Sequence, residues 1–122
     1  MERFRFLEWQ VYRDAKEIVS IVVKLVKELP NEYRFEMGNQ VIRSAFSIVL
    51  NIAEGSGKGS DKDFNHFLNI SIGSINETLA AVDVFRDNKL ISEEKFQEIK
   101  SKLESIANQL GGFKKKLIKK SS

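Results

Sequence analysis

Apolar residues recur at alternating steps of three and four through four separate stretches of this chain. Few architectures other than packed helices satisfy that spacing. The last stretch is the most regular: Phe96, Ile99, Leu103, Ile106, Leu110, Phe113 and Leu117 keep an unbroken heptad. In the first stretch, Val11, Ala15, Ile18, Val22, Leu25 and Leu29 make one stripe, with Tyr12, Val19, Val23 and Val26 beside it. In the second, Val41, Ala45, Ile48 and Ile52 adjoin Ile42, Phe46, Val49 and Ala53. A third stripe there is polar: Gln40, Ser44, Ser47, Asn51 and Glu54. In the third stretch, Phe64, Phe67, Leu68, Ser71, Ile75, Leu79 and Val82 share the inward face. The first two helices carry more apolar surface than one seam requires, so they are expected to contact neighbours on more than one side.

Short punctuators divide the stretches. Pro30 pushes Leu29 out of the helical region. The run from Gly55 to Ser60 (Gly-Ser-Gly-Lys-Gly-Ser) breaks the second pattern. Ser60 or Asp61 caps the third helix and Ser92 the fourth, with acids in both first turns where they suit the helix dipole. These signals place helices at about 8–29, 34–54, 61–88 and 92–118. Gly111-Gly112 interrupts the fourth heptad at about 1 kcal/mol per glycine relative to Ala, so the last turns are expected to fray or bend and leave the tail mobile. A chain of 122 residues fits one domain with its own core. Short connections favour antiparallel neighbours. The expected fold is all-α, an antiparallel up-down-up-down four-helix bundle over residues 1–122.

Charge is distributed unevenly. The whole chain has 20 Lys+Arg against 17 Asp+Glu, a net +3. Residues 113–122 hold five lysines and no acid, which leaves 15 basic against 17 acidic residues in the body, about −2. Such a basic tail is either a solvated end or a surface that steers toward RNA, DNA or anionic lipid, the last disfavoured because the tail lacks a long enough apolar face to anchor it. The absence of cysteine excludes disulfides, thiolate nucleophiles and sulfur-ligated metals, and one histidine excludes a multi-histidine site. The opening residues lack an apolar signal core and no segment is long and apolar enough for a membrane span, so a cytoplasmic protein is expected.

Chemical motifs fail on their spacing. Lys58 would need a glycine at position 52 and a hydroxyl residue at 59 to complete a phosphate loop, and finds Ile52 and Gly59. A weaker anion site at the start of the third helix, using Lys58 and Lys62, stays open. The Asp61-Lys62-Asp63-Phe64-Asn65 run opens like a calcium loop but has His66 and Ile72 where Gly and Glu are required. Glu54 and Glu77 could form an acid pair, yet nothing supplies a nucleophile, base and orienter together. No enzymatic activity, metal or cofactor is expected.

The run Gln40-Val41-Ile42-Arg43-Ser44-Ala45-Phe46-Ser47-Ile48-Val49-Leu50-Asn51-Ile52-Ala53-Glu54-Gly55 resembles the four-helix-bundle family of 23S rRNA intervening-sequence proteins. Trp9-Gln10, Pro30 with Glu32 and Tyr33, Phe64 with Phe67-Leu68, and Gly73-Ser74 followed by Glu77 extend the likeness over most of the chain. The resemblance implies a bacterial, homopentameric, barrel-like ring without enzymatic activity. It also implies a relation to accessory proteins of diversity-generating retroelements, which bind nucleic acid and a reverse transcriptase. The family's tandem arginines are here Ile42-Arg43, and a proline frequent near position 49 is Val49. Gln40, Ser47, Asn51, Glu54, Gly55, Gly73, Ser74 and Glu77 are the motif positions, in structural or interface roles. Arg43, Lys58, Lys62, Lys114, Lys115, Lys116, Lys119 and Lys120 are the candidate nucleic-acid contacts. The expected function is a non-enzymatic, oligomeric nucleic-acid-binding accessory protein. The alternative is a structural or protein-interaction module, for example a reverse transcriptase partner, that does not itself touch RNA or DNA.

Overall fold

The computed structural model describes residues 3–121, with side chains described as far as Leu117. Four long helices carry the fold: α1 (Gln10–Lys27), α2 (Asn39–Ser56), α3 (Asp61–Asp87) and α4 (Glu93–Ser121). A 3-10 turn, Arg5–Glu8, precedes α1, and no strand occurs among the described residues. Side-chain pairs fix the directions. Gln40 meets Glu77, Ser47 meets Ser74 and Gly55 faces Phe64, so α2 and α3 run antiparallel. Asp14 meets Gln109 and Glu17 meets Lys102, so α1 and α4 do too. Arg86 pairs with Glu93 and Lys114 with Asn69 across α3 and α4. Each helix packs on its two sequence neighbours, with α4 closing on α1. This is the four-helix bundle that the periodicity requires.

The stripes become the core. Val11, Ala15, Ile18, Val22, Leu25 and Leu29 of the first, and Phe96, Ile99, Leu103, Ile106, Leu110 and Leu117 of the last, are all buried. Ser60 caps α3 by accepting from the Asp63 N–H at 3.1 Å, and Ser92 accepts from the Lys95 N–H at 3.0 Å. Of the second stripe of α2, Val49 is buried, whereas Phe46 is 49% exposed. Leu50 on the same outer side is 48% exposed. The surplus apolar surface therefore stays open.

Three expectations are corrected. The second helix begins at Asn39, five residues after the expected start. Asn31–Tyr33 form one helical turn and Arg34–Gly38 wind as a wider π-helical turn. Gly38 explains the approach of that turn to α1: a Cβ there would lie 2.6 Å from Val26 Cγ1. Arg34 donates back to the Lys27 and Leu29 carbonyls at 3.0 and 3.1 Å, satisfying acceptors that the end of α1 leaves open. Second, Gly55 does not break α2, which continues through Ser56. Its buried Cα lets Phe64 and Phe67 approach, since a Cβ would stand 2.9 Å from Phe64 Cδ1. Third, α4 runs unbroken through Gly111-Gly112 to Ser121. Packing outweighs the glycine cost, because Phe113 beyond the pair lies 4.9 Å from the Trp9 ring and 6.0 Å from Phe64.

The turn from α3 to α4 holds one local strain. Lys89 has φ of 60°, a left-handed conformation usually left to glycine. It allows the Leu90 N–H to reach the Phe85 carbonyl at 2.8 Å and the Lys89 N–H to reach that of Arg86 at 3.0 Å. These two bonds close the end of α3.

Candidate nucleic-acid interface

Antiparallel packing gathers three distant stretches at one end of the bundle: the N-terminal segment, the α2–α3 connection and the last turns of α4. Each brings cations. Arg3 and Arg5 come from the first, Lys58 and Lys62 from the second, and Lys114, Lys115 and Lys116 from the third. Arg3, Phe4 and Phe6 line a shallow groove with Leu50, Glu54 and Gly57, which joins the chain start to the end of α2. Glu8, Glu54, Asp61 and Asp63 are the acids at this end, fewer than the cations.

The candidate cations differ in what they touch. Lys58 forms an ion pair with Glu54 at 3.2 Å and stands 5.0 Å over the Phe67 ring. Lys114 donates to Asn69 Oδ1. Lys62, Lys115 and Lys116 are exposed. The Lys119 and Lys120 side chains lie outside the described residues. Arg43 is exposed but stands apart, about 20 Å along α2 from the α2–α3 connection at ~1.5 Å per residue. The anion site considered at the start of α3 is crowded by its own chemistry: Ser60 takes the Asp63 N–H, and Asp61 and Asp63 occupy the first turn.

Beneath the cations lie three rings. Trp9 sits 4.9 Å from Phe113 and 6.1 Å from Phe64, the latter nearly parallel at 21°. Phe64 is buried, whereas Trp9 and Phe113 are half-buried. The Arg5 guanidinium lies 5.6 Å from the indole centre. With Asp61, Lys116 and Leu117, these rings line a cleft of about 420 Å³. The lone tryptophan and the two arginines before it escape a reading of charge along the chain. Placing each charge by bundle end, which the alternating helix directions permit, brings them together.

The motif residues do something else. Gln40–Glu77 and Ser47–Ser74 join α2 to α3 through amide and hydroxyl groups, and Asn51 braces Ser47 from within α2. Gln40 donates to Glu77 at 2.8 Å, Ser74 to Ser47 Oγ at 2.8 Å, and Asn51 to the Ser47 carbonyl at 2.8 Å. Ser71, fully buried, donates to the Ile48 carbonyl at 3.0 Å. Ser44 and Thr78 lie 2.8 Å apart, with the Val41 and Ser74 carbonyls also in reach. Two hydroxyl protons serve three contacts there, so one contact is always an acceptor facing an acceptor. Glu54 and Glu77 each have a different partner and are not an acid pair. Gly73 is exposed, and a Cβ on it would meet nothing within 4 Å. No group of three or more His, Cys, Asp or Glu that could hold a metal occurs among the described residues.

Several charges elsewhere are paired. At the opposite end, Arg86 pairs with Asp83 and Glu93 and lies 3.7 Å over Phe96. The Gln97 amide and then Arg86 hold the Glu93 carboxyl below its ordinary range. Lys95 does the same for Glu98. Lys102 is raised by its hydrogen bond to Glu17.

Comparison with known families matches residues 8–112 to the 23S rRNA-intervening sequence protein. Among solved structures, this chain is similar to a protein with unknown function from the S23 ribosomal protein family of Bacteroides thetaiotaomicron VPI-5482. The two are 31% identical with a TM-score of 0.80, over 86% of this chain and 98% of that one. No curated protein matches. The matched residues include the whole α2–α3 seam and end before Lys114.

Proposed function

This chain belongs to the 23S rRNA-intervening sequence protein family, and from that membership we propose that it is a non-enzymatic accessory protein that binds nucleic acid through the cationic end of its bundle. The observation that carries this reading is the gathering of Arg3, Arg5, Lys58, Lys62 and Lys114–Lys116 from three separate stretches onto one end. Contacts of that kind go to phosphates, so binding is sequence-independent and steeply salt-dependent.

In this reading the working form is a homo-oligomer, a pentameric ring, in the cytoplasm. Exposed Phe46 and Leu50 on α2, with exposed Phe4 in the same groove as Leu50, support a subunit contact. Gly73 supports it too. A glycine within an exposed helix costs about 1 kcal/mol relative to Ala, and its open flank suits a closely packed neighbour. A ring would repeat the cationic end in every copy. No helix among the described residues is long and apolar enough to cross a membrane. The same apolar residues favour a second reading, in which the protein docks a partner such as the reverse transcriptase of a diversity-generating retroelement.

Retention of labelled RNA and DNA over a salt series tests the first reading. We expect binding at low salt that falls linearly on a log–log plot, and light scattering that reports a stable oligomer at micromolar concentration. Absence of retention at low salt removes direct nucleic-acid binding and leaves the docking role. A stable monomer sinks the ring.

A further inference from the structure

We propose that the cleft between Trp9 and the last turns of α4 is a stacking site for one base of a single-stranded nucleic acid, with the adjoining phosphate held at Lys116. This deepens the nucleic-acid reading above and rests on it.

The cleft has two chemistries side by side. Its floor is aromatic: Trp9 and Phe113 are both half-buried and both line it, with buried Phe64 behind them. Its rim is polar, with the Arg5 guanidinium over the indole, exposed Lys116 and the Asp61 carboxylate. A volume of about 420 Å³ falls within the ~300–1,000 Å³ of small-molecule sites. The occupant that uses both chemistries is flat, anionic and able to donate an N–H. Inorganic phosphate has no face to offer the indole. An apolar peptide side chain leaves Lys116 and Asp61 unused. A nucleotide supplies all three: the base face meets Trp9 and Phe113, a base N–H meets Asp61, and the phosphate meets Lys116. The base must be unstacked to enter, which selects single strands over duplex. Arg5 already shows that a flat cation lies over the indole, and Arg5 can cover the outer face of a base in the same way.

Trp9 is the only tryptophan, so its emission reports the cleft alone. The full chain is titrated at low salt with a short thymidine oligonucleotide, a uridine oligonucleotide, an abasic strand of equal length and charge, and a duplex. We expect the base-bearing single strands to quench Trp9 and to bind about tenfold more tightly than the abasic strand. Quenching by both thymidine and uridine strands means that base and phosphate suffice. Quenching by one alone means that the cleft also reads the thymine methyl or the 2′-hydroxyl. In Phe113→Leu, which keeps apolar bulk, the advantage over the abasic strand should shrink toward unity, as read by anisotropy of a labelled strand. The abasic comparison needs no variant and stands even if that substitution disturbs the fold. Equal affinity for abasic and base-bearing strands without quenching overturns the cleft while leaving the cationic end intact, as does equal quenching by duplex. Failure of every strand to bind removes the underlying reading and the cleft with it.

Discussion

Where α3 turns into α4, Arg86 is held by Asp83 and Glu93 and lies 3.7 Å over the Phe96 ring. Where α4 finishes, Lys62, Lys115 and Lys116 are exposed and form no ion pair among the described residues. Arg86 and these three lysines use positive charge in opposite ways. At the first, cation and carboxylates close a turn whose backbone is already strained at Lys89. At the second, the turn is short and capped by Ser60, with Lys58 paired to Glu54, so Lys62, Lys115 and Lys116 are not needed to hold it. Cations spent on structure are shielded by their partners, whereas cations left in water keep their field and their donors for a polyanion.

The largest expected effect breaks the contrast directly. Replacing Lys114, Lys115, Lys116, Lys119 and Lys120 with Gln should lower affinity for a labelled oligonucleotide roughly a hundredfold or more at low salt and flatten its salt slope. The same exchange at Lys24, Lys27 and Lys89, toward the other end, should change affinity less than about twofold. Comparable losses at both ends would mean that the poles do not differ. Next is Gly55→Ala, where the new Cβ would stand 2.9 Å from Phe64. Denaturant unfolding should show a loss of about 1–3 kcal/mol, with a shifted Trp9 emission because Phe64 lies against that ring. Thr78→Val should cost only about 1 kcal/mol although Thr78 is fully buried, since Ser44 can still donate to the Val41 carbonyl. A loss above ~3 kcal/mol would contradict that proton count.

Lys89→Gly should go the other way, raising stability by about 1 kcal/mol in the same measurement by removing the left-handed strain at φ 60°. The smallest effect is with pH. Glu93 and Glu98 have carboxyls held below the ordinary value of 4.5. Their contribution is complete above 4.5 and is lost as pH falls through their lowered values. Glu93→Gln should remove part of that acid sensitivity, seen as a flatter dependence of melting temperature on pH below 4.5.

Helix number, core stripes and both serine caps were legible because each depends on local spacing. Leu110, Phe113 and Leu117 declare their face by their intervals of three and four, whatever they pack against. Phe85 and Thr78 did not declare themselves. Phe85 follows Val82 by three on the same stripe, but the expected face ended at Val82. Thr78 is polar, and its burial depends on Ser44 standing opposite in another helix. The glycines misled for a related reason. Gly55 and Gly111-Gly112 read as breaks from propensity, yet Phe64 against the first and Phe113 beyond the second decide the outcome by tertiary contact. The candidate site was half visible. Lysines 114–120 announce themselves as a run, whereas Arg5 and Trp9 join them only once the chain has folded back through four antiparallel helices.

The unbroken course of α4 through Gly111-Gly112 has an electrostatic cost. In a continuous helix, positions 115 and 119 stand one turn apart, as do 116 and 120, and all four are lysines. Like charges at that spacing each destabilise a helix by a few tenths of a kcal/mol. The macrodipole partly offsets this, because cations are favoured at a C-terminus. Lysines at that spacing in a continuous helix repel, and a polyanion bound at this end would relieve the repulsion. If the proposed binding holds, it is linked to the firmness of the last helical turns: a ligand that neutralised the lysines would also favour the wound helix, whereas salt would weaken the lysine repulsion and the favourable dipole interaction together.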